Sequence, residues 1–250
     1  MTNLRYNSIR FFWKYLSTIL LVLLIGSALV SCIGKTGSTN PQVSSKRILF
    51  IGNSYTDFNG GMDTHIMGLA PNANASRITP GGFTLENHWN NTDTLNAIRT
   101  GGWNVVVLQE QSQTPVINPK GFFEYAWRLN AEIKKAGAET VLFMTWERPD
   151  SVQYGVTTAN LSKMYTDLGR QLGVRVAPVG LAFYRSLQER PKLNLFVNDG
   201  HPTPQGTYLA ACVFYGIIFK QSPVGNSYSA GVSDDERIFL QGIAAQTLGY

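Results

Sequence analysis

The chain has 250 residues, of which 44% are hydrophobic and 15% charged, and it carries a formal net charge of +5. Two cysteines exclude a disulfide framework and a cysteine-built zinc site. Arg5, Arg10 and Lys14 lie in the first 31 residues, where no acidic residue occurs, so the chain beyond them carries only +2. With no dense Lys/Arg stripe, that charge gives no case for a nucleic-acid partner.

Residues 1–31 read as an export signal. The three basic residues form its n-region and Leu16 to Val30 its apolar h-region; at 15 residues that run is short of the about 20 needed to span a bilayer. Leu29-Val-Ser-Cys32 resembles the lipobox of bacterial lipoproteins, which implies that Cys32 is lipidated and becomes the mature N-terminus. An ordinary signal peptide or an uncleaved anchor helix is the alternative. Gly34 to Ser45, rich in Ser, Thr, Gly and Asn without apolar periodicity, reads as a flexible tether, so residues 32–45 link lipid to domain. The expected location is the bacterial cell envelope, periplasmic or at the cell surface, with a membrane as partner through the lipid. Residues 46–250 suit one compact domain with a sizeable core.

Apolar runs suited to buried parallel strands recur at Ile48–Ile51, Val105–Leu108, Val141–Met144 and Val174–Ala177, with a weaker one around Arg77–Thr79. Helical patterns lie between them at Phe122–Ala136 and Thr158–Leu172. The alternation, with strands apolar at every position, predicts an α/β fold whose parallel sheet is covered on both faces. In the first helix Phe123, Ala126, Trp127, Leu129, Ile133 and Ala136 form the expected core stripe, and Gly137 stops it. Further on, Thr203-Pro204 offers an N-cap followed by proline, Tyr208–Phe219 is apolar nearly all round, and Ser233–Leu248 offers one more helix. Cys212 falls in that apolar stretch and reads as an inert core thiol.

Two segments carry chemistry. The strand ending at Ile51 stops at Gly52-Asn53 and leaves Ser54 at a strand-to-helix turn, where open α/β sheets place their sites. A serine there serves equally well as a helix cap. The second segment is Asn198-Asp-Gly-His-Pro-Thr-Pro-Gln-Gly206. Pro202 pushes His201 towards extended backbone, Gly200 permits a tight approach, and Asp199 supplies a carboxylate two residues away. A loop-held imidazole beside a carboxylate is what a general base for a serine requires, although a structural Asx turn uses the same residues. Tyr55, His88-Trp89 and Trp146-Glu147 are expected at the same edge, lining a pocket or packing. His65 reads as a surface or capping histidine, and His65, His88 and Asp63 lack metal-ligand spacing, so no metal and no cofactor are expected.

Together the Gly-Asn-Ser block, a glycine block, Leu108-Gln-Glu-Gln-Ser112, Thr145-Trp146 and the Asp-Gly-His-Pro block resemble the SGNH (GDSL-type) hydrolases, in order and spacing, over most of Lys46 to Lys220. The resemblance is to a bacterial branch similar to carbohydrate acetylesterases. It implies a three-layer α/β/α fold, flavodoxin-like, with a central parallel sheet of about five strands. It also implies that Ser54 is a nucleophile, His201 its base and Asp199 the group orienting the imidazolium. The oxyanion would be held by the N–H of Ser54, the N–H of Gly82 and a side-chain amide, with Gly81 a possible shift of register.

Two departures from the family pattern stand out. Its third block presents Gly-x-Asn-Asp, whereas this chain has Gln109-Glu110-Gln111-Ser112; Gln109, which ends the strand, is the expected donor and Gln111 the alternative. The acid is commonly three residues before the histidine, where Asn198 stands, so a Ser–His dyad helped by Asn198 or a backbone carbonyl is the alternative to Asp199. The implied activity is ester hydrolysis through an acyl-enzyme, directed at O-acetyl groups of a polysaccharide. A lipid ester or thioester hydrolase and an inactive glycan-binding module are the other readings.

Overall fold

The computed structural model describes residues 45–250. The export signal, Cys32 and all of the tether but Ser45 lie outside the described residues. Five strands, β1 (Arg47–Ile51), β2 (Asn74–Ile78), β3 (Val105–Leu108), β4 (Glu139–Phe143) and β5 (Arg175–Ala177), form one sheet in the order β2-β1-β3-β4-β5. Every pairing is parallel, with Ile51 opposite both Ile78 and Leu108, and Leu108 opposite Leu142. The order reverses at β1 and β3, so the loops after them flank the crevice where such sheets bind ligands.

The helices are α1 (Ser54–Asp57), α2 (Met62–Leu69), α3 (Leu85–Trp89), α4 (Thr92–Thr100), α5 (Thr114–Ile117), α6 (Pro119–Lys135), α7 (Thr158–Leu172), α8 (Val179–Glu189), α9 (Pro204–Phe219) and α10 (Asp234–Leu248). Side chains alternate across a strand, and this sheet buries both sets. Ile48, Phe50, Val105, Val107, Val141 and Phe143 pack with α2, α8, α9 and α10. Leu49, Ile51, Val106, Leu108 and Leu142 pack with α3, α4, α6 and α7. This two-sided burial is why the strands read as unbroken apolar runs, and it makes the expected three-layer α/β/α architecture. Among the described residues no helix is long and apolar enough to cross a membrane.

Local expectations shift in three places. The weak run at Arg77–Thr79 is the end of a strand that begins at Asn74, and the run at Val141–Met144 is a strand from Glu139 to Phe143. In α6 the buried stripe is Phe122, Ala126, Leu129, Asn130 and Ile133, whereas Trp127 is exposed. Phe122 wins over Phe123 because positions 122, 126, 129 and 133 keep one helical face towards the sheet. Cys212 lies fully buried in α9, where burial pushes its thiol up to about 12, as suits an inert core cysteine.

Candidate active site

The crevice is assembled from four loops at the carboxyl edge. The ladder runs one bond past the strands on each side, from Gly52 N–H to the Ile78 carbonyl (3.1 Å) and from Gln109 N–H to the Ile51 carbonyl (2.9 Å). Asn53, extended at φ −138°, caps α1 by accepting the Tyr55 N–H on its side-chain oxygen, so Ser54 begins the helix. As the first helical residue, Ser54 has an N–H without an intrahelical acceptor. The Asn53 amide donates to the Phe83 carbonyl at 2.9 Å, tying the glycine loop to the serine turn. His88 Nε2 lies 2.7 Å from the Gly52 carbonyl, which only accepts, so that nitrogen carries the hydrogen and Nδ1 takes the Thr94 hydroxyl. Burial lowers His88 to about 4, keeping it neutral.

His201 arrives on the loop before α9, and its Nε2 lies 2.8 Å from Ser54 Oγ. Phe58 stacks on the imidazole with centroids 4.2 Å apart, and Tyr55 meets it edge-on at 5.6 Å. On the far side, Asp199 Oδ1 is 3.0 Å from Nδ1. The same oxygen accepts the His201 backbone N–H at 3.0 Å, and it lies off the direction in which an Nδ1 hydrogen would point. Nδ1 is thus buried without an aligned hydrogen bond among the described residues, despite the short distance, and neither Asn198 nor a backbone carbonyl takes it. The His201 backbone N–H and then its ring hold the Asp199 carboxyl below the usual carboxylate range, although 68% of that side chain is exposed.

The structure separates the two glutamines. Gln109, the expected oxyanion donor, is fully buried. Its oxygen accepts from Asn53 N–H (3.0 Å) and the Thr56 hydroxyl (2.8 Å), and its amide donates to the Asn53 side-chain oxygen (2.9 Å) and the Glu110 carbonyl (2.7 Å). Both amide hydrogens are engaged, so Gln109 braces the serine turn and has none left for an oxyanion. Gln111 is partly exposed; its oxygen accepts from Gln113 and Thr114, and its amide makes only a 3.2 Å contact to Ser112 Oγ. Gly82 sits on the exposed glycine loop at φ +71°, a conformation that side chains resist. The turn's own bond runs from Phe83 N–H to the Pro80 carbonyl, leaving the N–H groups of Gly81 and Gly82 outside it.

Other expected pocket residues are structural. Trp146 is sandwiched between Tyr55 (4.5 Å) and Phe183 (4.3 Å). Glu147 accepts the Thr158 N–H at 2.6 Å, and Trp89 lies under Arg128 at 5.5 Å. His65 is buried rather than on the surface, bonded to the Asn59 carbonyl and the Tyr228 hydroxyl. No group of metal-ligating side chains occurs among the described residues. Two site residues escaped the sequence reading. Glu110, buried against the N-terminus of α3, accepts from Gln111 N–H (2.6 Å) and Leu85 N–H (3.2 Å), yet burial raises it to about 7. Arg148, in the stretch after β4, reaches the His201 loop. The only sequence signal for either was a charged residue just beyond a buried parallel strand.

A Ser–His pair at the carboxyl edge of a parallel sheet is an arrangement that serine hydrolases use. No protein-family model matches the chain, and no curated protein matches it. Among solved structures, a candidate SGNH hydrolase from Slackia heliotrinireducens is 27% identical with a TM-score of 0.63, the match covering 70% of this chain and 100% of that one. A DUF4886 family protein from Bacteroides uniformis shares the fold at 15% identity and TM-score 0.68, with 83% and 96% covered. An acetyl-xylooligosaccharide esterase from Geobacillus Stearmophilus, carrying one substitution, does so at 16% and 0.53, with 70% and 94% covered. The chain belongs to the SGNH hydrolase superfamily.

Proposed function

We propose that the protein is a serine esterase working through an acyl-enzyme, with O-acetyl groups on carbohydrate as substrate. The observation that carries the mechanism is the 2.8 Å contact between Ser54 Oγ and His201 Nε2. Ser54 Oγ attacks the ester carbonyl carbon as His201 Nε2 takes its proton. The tetrahedral oxyanion is met by the N–H groups of Ser54 and Gly82 and by the amide of Gln111, which takes the part first expected of Gln109. The imidazolium, facing the Asp199 carboxylate, passes its proton to the leaving alcohol as the C–O bond breaks. Water deprotonated by His201 then attacks the acyl group, and Ser54 leaves with the returned proton.

Support for an acetylated carbohydrate comes from the structural likeness to an acetyl-xylooligosaccharide esterase. The lipobox-like Leu29-Val-Ser-Cys32 supports anchoring of the domain at the cell envelope, beside polysaccharide. The test is hydrolysis of p-nitrophenyl acetate by the purified protein and by Ser54→Ala, which should be slower by about 1,000-fold or more. Equal rates would remove the esterase. Acetylated xylan and a long-chain acyl ester, run side by side, test the substrate class. Preference for the long chain would overturn the carbohydrate assignment.

A further inference from the structure

His201 is the base in this reading, yet among the described residues nothing aligned holds its Nδ1. Asp199 is itself an exposed side chain whose oxygen is engaged by the backbone of the residue it should orient. What places the imidazole is therefore the loop, and the loop is gripped from the stretch that follows β4. Trp146 Nε1 donates to the Gly200 carbonyl at 3.1 Å, and Arg148 Nη1 donates to the Asp199 carbonyl at 2.8 Å. Two consecutive carbonyls are thus pinned, and Gly200 makes the turn between them at φ +87°. Its missing Cβ is required for space as well, because one would collide with Arg148 Cδ and the Tyr55 hydroxyl.

The arginine is the fixed partner in this clamp. Its side chain is 13% exposed against 68% for Asp199, and Nη2 is oriented by Asp150 Oδ2 at 3.1 Å. Among the described residues Arg148 Nε and the Tyr55 hydroxyl are both buried without an aligned hydrogen bond, although the hydroxyl lies near Ser112 and Arg148. Orphaned buried polar atoms of this kind are uncommon and call for an explanation. An arginine fork is suited to fixing two acceptors in set directions, which a lysine point charge is not.

We propose that Arg148 is a positioning residue for His201, setting the imidazole against Ser54 through the Asp199 carbonyl and carrying the orienting role that an in-line carboxylate plays in a full triad. This rests on the reading of Ser54 and His201 given above. A misplacement of about 1 Å in a reacting group can cost on the order of 100-fold in rate.

The test measures kcat and KM for p-nitrophenyl acetate with the full-length protein and its Arg148→Met, Arg148→Lys, Asp199→Asn and Ser54→Ala variants, each assayed well below its own thermal midpoint. Methionine keeps an apolar stem over Gly200, so the fold is retained, but it loses the fork. Arg148→Met should lower kcat by about 100-fold with KM changed by less than about 2-fold. Arg148→Lys, with one donor for the Asp199 carbonyl, should recover part of that loss. Asp199→Asn keeps the oxygen that accepts the His201 N–H and should cost less than about 10-fold. Wild-type kcat in Arg148→Met, a loss that appears in KM alone, no recovery in Arg148→Lys, or a larger loss in Asp199→Asn than in Arg148→Met would each overturn the proposal. Should Ser54→Ala be as active as wild type, the serine mechanism itself fails, a result distinct from failure of the Arg148 clamp alone.

Discussion

Gln109 and Gln111 stand two residues apart and should fail in different ways when changed. Gln109→Leu removes four hydrogen bonds in the interior and leaves the Asn53 backbone N–H with no other acceptor. A buried orphan costs about 1–3 kcal/mol and each of the three other bonds a net of about 0.5–1.5, so the loss is about 2.5–7.5 kcal/mol. For a domain of this size each kcal/mol moves the thermal midpoint by about 2–4 °C, which predicts a drop of about 5–30 °C. Gln111→Glu keeps the oxygen that accepts from Gln113 and Thr114 but replaces the weakly held amide, the proposed oxyanion donor, with a negative charge. Its midpoint should stay within about 2 °C of wild type, while kcat for p-nitrophenyl acetate falls by about 100-fold or more. Calorimetry and initial rates on the two variants decide the matter. A Gln109→Leu protein of unchanged midpoint but abolished turnover, or a fully active Gln111→Glu protein, would refute the assignment.

Burial shifts Glu110 and His88 in opposite senses, and pH dependence of stability should expose both. Glu110 is raised from 4.5 to about 7, so its contribution is full below pH 4.5 and is lost as pH rises through 7. His88 is lowered from 6.5 to about 4, so its contribution is full above pH 6.5 and is lost as pH falls through 4. Each amounts to about 3 kcal/mol, and their opposite pH slopes nearly cancel at intermediate pH. Glu110→Gln should therefore match wild type near about pH 5 and exceed it by up to about 3 kcal/mol near about pH 8. Superimposable denaturation midpoints at both values would sink this account. At the N-terminus, Cys32→Ser should move the protein from the membrane fraction to the soluble one, and retention in the membrane would point instead to an uncleaved anchor helix.

The strands and the four longest helices could be read from the sequence because their signal is local. Ile48–Ile51 and Val105–Leu108 are apolar at every position, and a strand covered on both faces leaves no other pattern. Ser54 and His201 were legible for a related reason: each sits in a short turn with its own chemistry, Gly-Asn before the serine and Gly before with Pro after the histidine. The α6 stripe was harder, since Phe122-Phe123 and Ala126-Trp127 present two overlapping registers. Only the sheet beneath decides that Trp127 faces water.

The features that could not be read depend on the path of a loop or on acceptors without a sequence trace. β3 ends at Leu108, and at the edge beyond it Gln109 turns inward while Gln111 stays partly exposed. Positions two apart would share a face if the strand ran on, so it is the turn after Leu108 that parts them, and the amide type alone names neither glutamine as donor. Arg148 is further removed, because what it binds is the carbonyl of a residue 51 positions along, and every residue has a carbonyl. Asp199 shows the same limit from the other side. Its spacing brings an oxygen to 3.0 Å from Nδ1, but the backbone N–H of His201 draws that oxygen out of line. The two-residue spacing therefore fixes proximity and gives up direction, and direction is what the grip of Arg148 and Trp146 on the loop has to supply.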